Sequence, residues 1–452
     1  MGLFDKKKNK RNTTVVTNVF ARSEASSQDR LSFKATSTGS RYKGEKESYD
    51  GAKKDFTESA SEEIELYIHI PFCVRKCSYC DFLSFPAVGR EQQKEYMENL
   101  CKEIRMTAAD PAVRSMKRPV RSIYFGGGTP SYVDPMLIAK VLQTCRESFD
   151  IKEDAEITLE ANPATVDLTG LQIYKGAGIN RLSIGVQSAD DRLLNVLGRV
   201  HTFAQARETF QLARQAGFTN INIDLISALP TQTRESWQAT LKAVLALKPE
   251  HISAYSLIVE PGTPFYEQYG ENGPDRGLLP DEELDRQMYY DTDEILSGAG
   301  FSRYEISNYS EPGYECIHNL GYWKGVDYLG FGLGASSLWD RTRYHNENDL
   351  QRYAQALRSQ TGLDLLHKDV VKQTRKDCME EHMFLGLRCT EGISKKAFEE
   401  KFNVKYETIL GPATERLRRQ GLIEIVDGDI IRLTKLGLDV SNQVFVNLLL
   451  DE

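Results

Sequence analysis

From about residue 62 the sequence keeps one beat: a short β-branched or aromatic run, then a longer stretch of helical period, six times over. The strand-like runs are 65–70 (ELYIHI), 121–126 (RSIYFG), 156–161 (EITLEA), 181–186 (RLSIGV), 220–227 (NINIDLIS) and 251–257 (HISAYSL). The helical stretches are 91–108, 134–147, 166–176, 189–196, 203–215 and 233–246. Such alternation is the pattern of βα units around a parallel sheet, and a doubly wound sheet or a barrel satisfies it equally.

The position of the unusual residues favours the barrel. Cys73, Cys77 and Cys80 follow the first strand, and the GGGTPS run (126–131) follows the second. Glu160 and Asn162 end the third, Gln187 closes the fourth, and Asp224 interrupts the fifth. In a barrel these strand ends converge on one mouth, where barrel active sites sit. Six units fall short of eight, so the expected fold class is α/β: an open, partial (β/α)6 TIM-like barrel over residues 62–300.

Beyond it the beat changes. A helix over 281–297 leads into a Gly- and Tyr-rich stretch (304–337), and residues 301–375 read as a motif-bearing, linking segment. Helical runs at 377–387, 394–403 and 407–420 then precede a hairpin (422–434) around Asp427-Gly428 and a last helix. That order predicts a mainly helical, winged-helix-like C-terminal domain over 376–452. Its ERLRRQ run (415–420) offers only Arg416, Arg418 and Arg419 in an acid-rich block, so it is expected to pack on the barrel as a lid or partner surface. Residues 1–61 open on a basic run and stay polar and poor in large aliphatics, the composition of a disordered tail. They hold no apolar core of a secretory signal, and Lys6 stands where a myristoylation pattern needs Ser or Thr.

Lys+Arg 57 against Asp+Glu 65 leaves a net charge of −8, with no basic field for nucleic acid. No run approaches the roughly 18 apolar residues of a membrane span. Outside the cluster the cysteines are scattered, which suits a reducing cytoplasm, where grouped cysteines bind metal more often than they bridge.

Thiolates are soft ligands suited to zinc or to iron–sulfur centres. Zinc sites usually add a second cysteine pair downstream, and none is present; His69 could complete one, but it alternates along a strand with Tyr67, where a structural role serves equally. Three thiolates on a four-iron cluster leave one iron open to a small ligand. In GGGTPS the glycines permit close backbone approach and Thr129 adds a hydroxyl, although a tight βα turn has the same sequence. Glu156 and Glu160, four apart on a strand, share a face. Glu156 also fits a solvated strand end, whereas Glu160 lies in an apolar run and needs a partner if buried. Gln187, Arg199 and Asp224 each read equally as satisfied polar groups or helix caps.

CVRKCSYC (73–80) resembles the cysteine motif of the radical S-adenosylmethionine superfamily. That resemblance implies a 4Fe-4S cluster on Cys73, Cys77 and Cys80, with S-adenosylmethionine on the open iron and its reductive cleavage to a 5′-deoxyadenosyl radical. It places Gly127, Gly128 and Thr129 at the cofactor's amino group. Over residues 62–450 the chain is similar to the coproporphyrinogen oxidase-like branch, which implies cofactor contacts for Tyr67, Glu160, Gln187, Arg199 and Asp224.

Within that branch the oxygen-independent coproporphyrinogen III dehydrogenases carry a fourth cysteine two residues after the third, where this chain has Phe82. Heme chaperones of the HemW type instead resemble it in YCDF and in an HNxxYW motif, here His318, Asn319, Tyr322 and Trp323. The resemblance implies heme contact, for which neutral imidazole is an axial ligand and aromatic rings give flat apolar surface; core packing beside a capped histidine is the alternative. The expected protein is therefore a cytoplasmic heme chaperone that binds heme, cluster and S-adenosylmethionine and transfers heme to acceptor hemoproteins. Its rivals are a dehydrogenase that oxidatively decarboxylates the propionates of coproporphyrinogen III and a zinc-stapled interaction module. One departure stands out. In DLISALPTQT, Ser227, Ala228 and Thr231 replace the family's aromatic-glycine pair and its glycine after the proline, so the pocket shape there is this chain's own.

Overall fold

The computed structural model describes residues 62–359 and 362–450; the tail expected over 1–61 lies outside them. Six strands, β1 (Ile64–Ile70), β2 (Val120–Gly127), β3 (Ile151–Ala161), β4 (Arg181–Gln187), β5 (Ile221–Ser227) and β6 (His251–Ser256), lie side by side in chain order and parallel. The principal helices between and after them are α1 (Arg90–Ala109), α2 (Pro135–Ser148), α3 (Leu168–Ala177), α4 (Asp191–Val196), α5 (Phe203–Gln215) and α6 (Arg234–Leu245). Local chemistry starts them: Asp134 caps α2 ahead of Pro135, Thr202 and Gln205 form a capping box on α5, and Thr233 caps α6.

Alternation along each strand separates two faces. On β1, Leu66, Ile68 and Ile70 belong to one apolar core with Tyr96, Met97, Leu100 and Ile104 of α1. Glu65, Tyr67 and His69 occupy the opposite face, as do Ser122 and Tyr124 on β2 and Glu156, Thr158 and Glu160 on β3. The sheet thus turns an apolar face to its helices and a polar face inward.

Residues 301–375 are an integral part of this sheet, not a linker. They supply β7 (Ser302–Arg303), β8 (Asn308–Ser310), β9 (Tyr328–Phe331), β10 (Ser336–Trp339), β11 (Thr342–Asn346) and β12 (His367–Lys372). β9 pairs parallel with β1, so seven parallel strands stand where the sequence pattern predicted six. The others run antiparallel at the margins, in the order β12-β11-β10-β9-β1-β2-β3-β4-β5-β6-β8-β7. Two edges remain, so the barrel is open.

Between β8 and β9 lies a short helix, and two long ones flank the segment: α7 (Glu282–Gly298), α8 (Ile317–Lys324) and α9 (Arg375–Gly386). From α9 onward the chain builds a second core around Met383, Phe398, Phe402, Tyr406 and Leu417, with a three-stranded sheet of its own. Its hairpin turns at Asp427 and Gly428, both at positive φ (51° and 73°). This module packs on the barrel. Arg388 lies 4.3 Å from the Trp323 ring centroid, Lys324 pairs with Glu391 at 2.8 Å, and Arg286 of α7 reaches Asp439 at 2.8 Å.

Candidate functional site

At the C-terminal ends of the parallel strands a chain of polar contacts joins two of the three clustered cysteines. Thr129 donates from Oγ1 to Cys73 Sγ (3.5 Å) and accepts from Asn162 Nδ2 (2.7 Å). Arg199 donates to Asn162 Oδ1 (2.5 Å), to the Gly185 carbonyl (2.5 Å) and to Cys77 Sγ (3.6 Å). A Cβ on Gly185 would lie 2.9 Å from both Asn162 Oδ1 and Gln187 Nε2 and 3.2 Å from Arg199 Nη2, so only glycine lets these three groups converge. Gln187 itself stands at φ 70° where β4 ends. A recess of about 310 Å³, partly open solvent, is lined here by Cys77, Thr129, Asn162, Arg199, Val200 and His201.

The donor set fits an iron–sulfur cluster. Hydrogen-bond donors already point at two of the sulfurs, and the three cysteines act on one another electrostatically, which places them in one neighbourhood. Burial pushes the Cys80 thiol up to about 12, so it becomes a thiolate only when a metal takes the place of its proton. Among the described residues, no three His, Cys, Asp or Glu side chains gather as a single metal ion would require. A cube of four irons spreads its protein ligands over separate corners. His69 is committed elsewhere: Nε2 donates to the Leu83 carbonyl (2.9 Å) and Nδ1 accepts the Tyr67 hydroxyl (3.1 Å). Leu83 ends the cysteine loop, so His69 clamps that loop to β1. Its ring would lie 2.5 Å from a Cβ on Gly127, whose φ of 111° also demands glycine.

The other predicted cofactor residues divide. Glu160 accepts the Tyr124 hydroxyl (2.9 Å), and Gly126 keeps the space between Glu160, Tyr124 and Tyr67 open. Asp224 is held by Ser183 (2.8 Å) and Asn222 (2.8 Å) inside the barrel, in register with Gly185, whose carbonyl accepts from Arg199. The departure in the fifth unit has a backbone consequence. Ala228 (φ 56°) and Thr231 (φ 63°) adopt the left-handed conformation for which the family's pattern has glycine.

The HNLGYW motif lies on α8, whose N-terminus enters the polar interior lower down. Glu156 of β3 accepts from the backbone N–H of Ile317 (3.2 Å) and His318 (3.3 Å) and from Cys316 Sγ (3.4 Å). Here a carboxylate caps a helix N-terminus, favoured by both orphan N–H groups and helix dipole. The backbone N–H of Cys316 also reaches Tyr304 Oη (3.3 Å), which bonds His251 of β6 (2.8 Å). The helix end therefore bridges β3 and β6, which are not neighbours, and plugs the concave face.

His318 is buried with both ring nitrogens engaged: Nδ1 with Ser122 Oγ (2.9 Å) and Nε2 with Tyr322 Oη (3.0 Å). Its ring stacks on Tyr124 (5.0 Å between centroids) and lies 6.5 Å from Tyr67. Burial, aided by Arg121 and Arg181, lowers its pKa to about 3. Glu65, 3.6 Å away and fully buried, is raised well above the carboxylate range by the same desolvation. With the imidazole neutral, their approach is not an ion pair; the charged group beside Glu65 is Arg121, whose Nε lies 3.4 Å from Oε1. Gly321 makes the approach of His318 to Glu65 possible, because a Cβ there would sit 1.9 Å from Glu65 Oε1. Trp323 turns from the interior to the C-terminal module, under Arg388. Asn319 follows His318 on the same helix, partly buried.

The structure thus joins residues predicted for two separate ligands: through Tyr124, which was assigned to neither, Glu160 and Tyr67 form one run of hydrogen bonds and stacked rings with His318 and Tyr322. It gives Asn162, expected at the mouth, its partners Thr129 and Arg199, and it adds Glu65, Ser122 and the capping role of Glu156, which sequence reading had not assigned. The strand alternation Glu65-Tyr67-His69 was the available signal for Glu65.

Comparison with known proteins agrees with this geometry. Residues 67–244 match the radical SAM superfamily model and residues 373–440 the HemN C-terminal domain model. The chain is 35% identical to heme chaperone HemW of Lactococcus lactis, covering 85% of this chain and 97% of that protein. It is 36% identical to heme chaperone HemW of Bacillus subtilis, over 84% and 97%. A mouse relative, radical S-adenosyl methionine domain-containing protein 1, mitochondrial, is 32% identical over 87% and 88%. The fold matches that of Escherichia coli coproporphyrinogen III oxidase (HemN) with a TM-score of 0.73 and 26% identity, covering 86% and 91% of the two chains. No helix among the described residues is long and apolar enough to cross a membrane. The chain belongs to the radical S-adenosylmethionine superfamily, as a HemW-type member.

Proposed function

We propose that this protein is a heme chaperone that binds heme alongside a 4Fe-4S cluster and S-adenosylmethionine and transfers heme to acceptor hemoproteins in the cytoplasm. In this reading Cys73, Cys77 and Cys80 hold the cluster, whose open iron supplies the cofactor's anchoring point. Gly127, Gly128 and Thr129, with Tyr67, Glu160, Gln187, Arg199 and Asp224, surround the cofactor. His318, Asn319, Tyr322 and Trp323 form the heme-handling element.

The observation that carries the proposal is that HNLGYW is one helix, seated in the barrel interior against Tyr67 and Tyr124. Half-exposed Phe82, where the decarboxylating branch has cysteine, supports it, as does near full-length similarity to relatives named heme chaperones. Because both His318 nitrogens are engaged, coordination of heme iron requires α8 to give up at least one hydrogen bond. The helix is therefore a latched element, opened at the cost of a local contact. The test is parallel: anaerobically reconstituted protein is titrated with hemin for a Soret band and assayed with coproporphyrinogen III. A Soret band without protoporphyrinogen is expected. Protoporphyrinogen formation would instead establish the dehydrogenase reading.

A further inference from the structure

The seam between the barrel and the C-terminal module holds a cation with no anion against it. Arg388 follows α9, and backbone contacts fix the chain beside it: Cys389 bridges to Glu305, and the Thr390 N–H donates to the Tyr304 carbonyl (3.0 Å). Its guanidinium lies 4.3 Å from the ring centroid of Trp323, the last residue of HNLGYW. Its Nε–H is buried without a partner, and among the described residues no hydrogen bond or ion pair engages the rest of the fork. By contrast, Arg118, Arg181 and Arg303 stand 2.7, 3.9 and 3.4 Å from Asp327, Glu156 and Asp293. Lys324, next to Trp323, is taken by Glu391. Glu305 acts on Arg388 electrostatically, but its carboxylate accepts from the Ser307 N–H (2.8 Å) and is itself raised by burial. Burial outweighs that attraction and lowers the Arg388 pKa, as it does for a charge its surroundings do not compensate. Both Arg388 and Trp323 stay partly exposed, so a ligand can reach the outer edge of the fork.

We propose that Arg388 is a carboxylate-binding residue that receives a propionate of heme, with Trp323 holding the guanidinium plane. The inference rests on the heme-handling reading of α8. A guanidinium stacked on an aromatic face keeps its N–H donors around its rim, where a carboxylate accepts two parallel bonds. Heme is flat and apolar except for two carboxylates on one edge, and the seam presents an indole and an uncompensated fork side by side. S-adenosylmethionine carries a carboxylate as well. That group shares one carbon with the ammonium assigned to Gly127, Gly128 and Thr129, on the cysteine side of the barrel, whereas Arg388 reaches the end of α8 from the C-terminal module.

Changing the ligand as well as the residue separates this role from a structural one. Cluster-reconstituted full-length protein is titrated with hemin and with its dimethyl ester, in which both propionates are uncharged. Wild type should bind the ester about tenfold or more weakly than hemin, the weight of a charge-assisted hydrogen bond. Arg388→Met keeps an apolar stem on Trp323 without the charge. It should bind hemin about tenfold or more weakly than wild type, and hemin and ester within about threefold of each other. Arg388→Lys keeps the charge but not the fork and should fall between the two. Iron content and S-adenosylmethionine binding should be unchanged in both variants. The ester arm needs no variant: wild type that binds ester as tightly as hemin would overturn the proposal and leave the cation to an acidic partner protein. An undiminished ester penalty in Arg388→Met, or weakened S-adenosylmethionine binding with hemin unaffected, would overturn it too. Failure of the wild type to bind hemin at all would instead overturn the heme-handling reading beneath it.

Discussion

The mouth of the barrel and its floor are both lined by polar side chains, yet they are finished differently. At the mouth, Thr129, Asn162 and Arg199 link Cys73 to Cys77 around a recess, and Arg199 Nε and His201 Nδ1 remain buried without partners. At the floor, Glu156 caps α8, Ser122 and Tyr322 take both nitrogens of His318, and Gly321 closes on Glu65. A hydrogen bond already made within the protein has to be broken before a ligand can use the same atom. The mouth is therefore ready for a small ligand, whereas the floor answers only after α8 shifts. A motif that names a ligand does not by itself make an open site.

The largest expected effect breaks the mouth and spares the floor. Replacing Cys73, Cys77 or Cys80 by Ser should abolish the cluster, read as loss of bound iron and of visible iron–sulfur absorbance. Apo-protein stability should hardly change, because the cysteine loop lies outside the floor network. Parallel unfolding of the apo-protein would expose a hidden dependence between the two regions.

Next comes a change that breaks the floor. Gly321→Ala drives a methyl into the buried Glu65 carboxyl and should cost about 1–3 kcal/mol by overpacking. Urea unfolding measures it, and an unchanged midpoint would mean that α8 is not clamped as described.

Acid sharpens the comparison further. His318 has a folded pKa of about 3 against 6.5 for the free side chain, so the folded state binds fewer protons than the unfolded state between those values. Its contribution is present above pH 6.5 and is lost as pH falls toward 3. One such proton gives a slope of about 1.4 kcal/mol per pH unit. His318→Gln should flatten the acid limb of the stability–pH curve by about one proton. The smallest effect returns to the mouth's rim. Thr231→Gly relieves a β-branched residue at φ 63° and should stabilise by about 1 kcal/mol, raising the midpoint of thermal unfolding.

Much of the fold was legible because strands buried on both faces read as β-branched runs: five of the six begin and end within about one residue of their expected limits. β3 starts five residues earlier than expected, at Ile151, because its first residues, IKED, are polar and partly exposed. β9 went unread, since four residues with a central glycine (YLGF) give little strand signal. In the site, the cysteines and the glycine turn carry their spacing in the sequence. The Glu65–Gly321 contact does not: its partners are separated by most of the barrel and meet only because β9 pairs beside β1. Ala228 and Thr231 were visible as departures, but their cost became visible only as positive φ.

The central claim, that α8 is a latched heme-handling helix with His318 as its iron-facing group, is tested most directly by anaerobic hemin titration of wild type, Tyr322→Phe and His318→Ala. Tyr322→Phe keeps the ring but frees Nε2, so hemin should bind about threefold to tenfold more tightly, while His318→Ala should lose the Soret band with its iron content intact. Hemin binding by His318→Ala at wild-type strength would contradict the claim and move the heme site elsewhere on the chain.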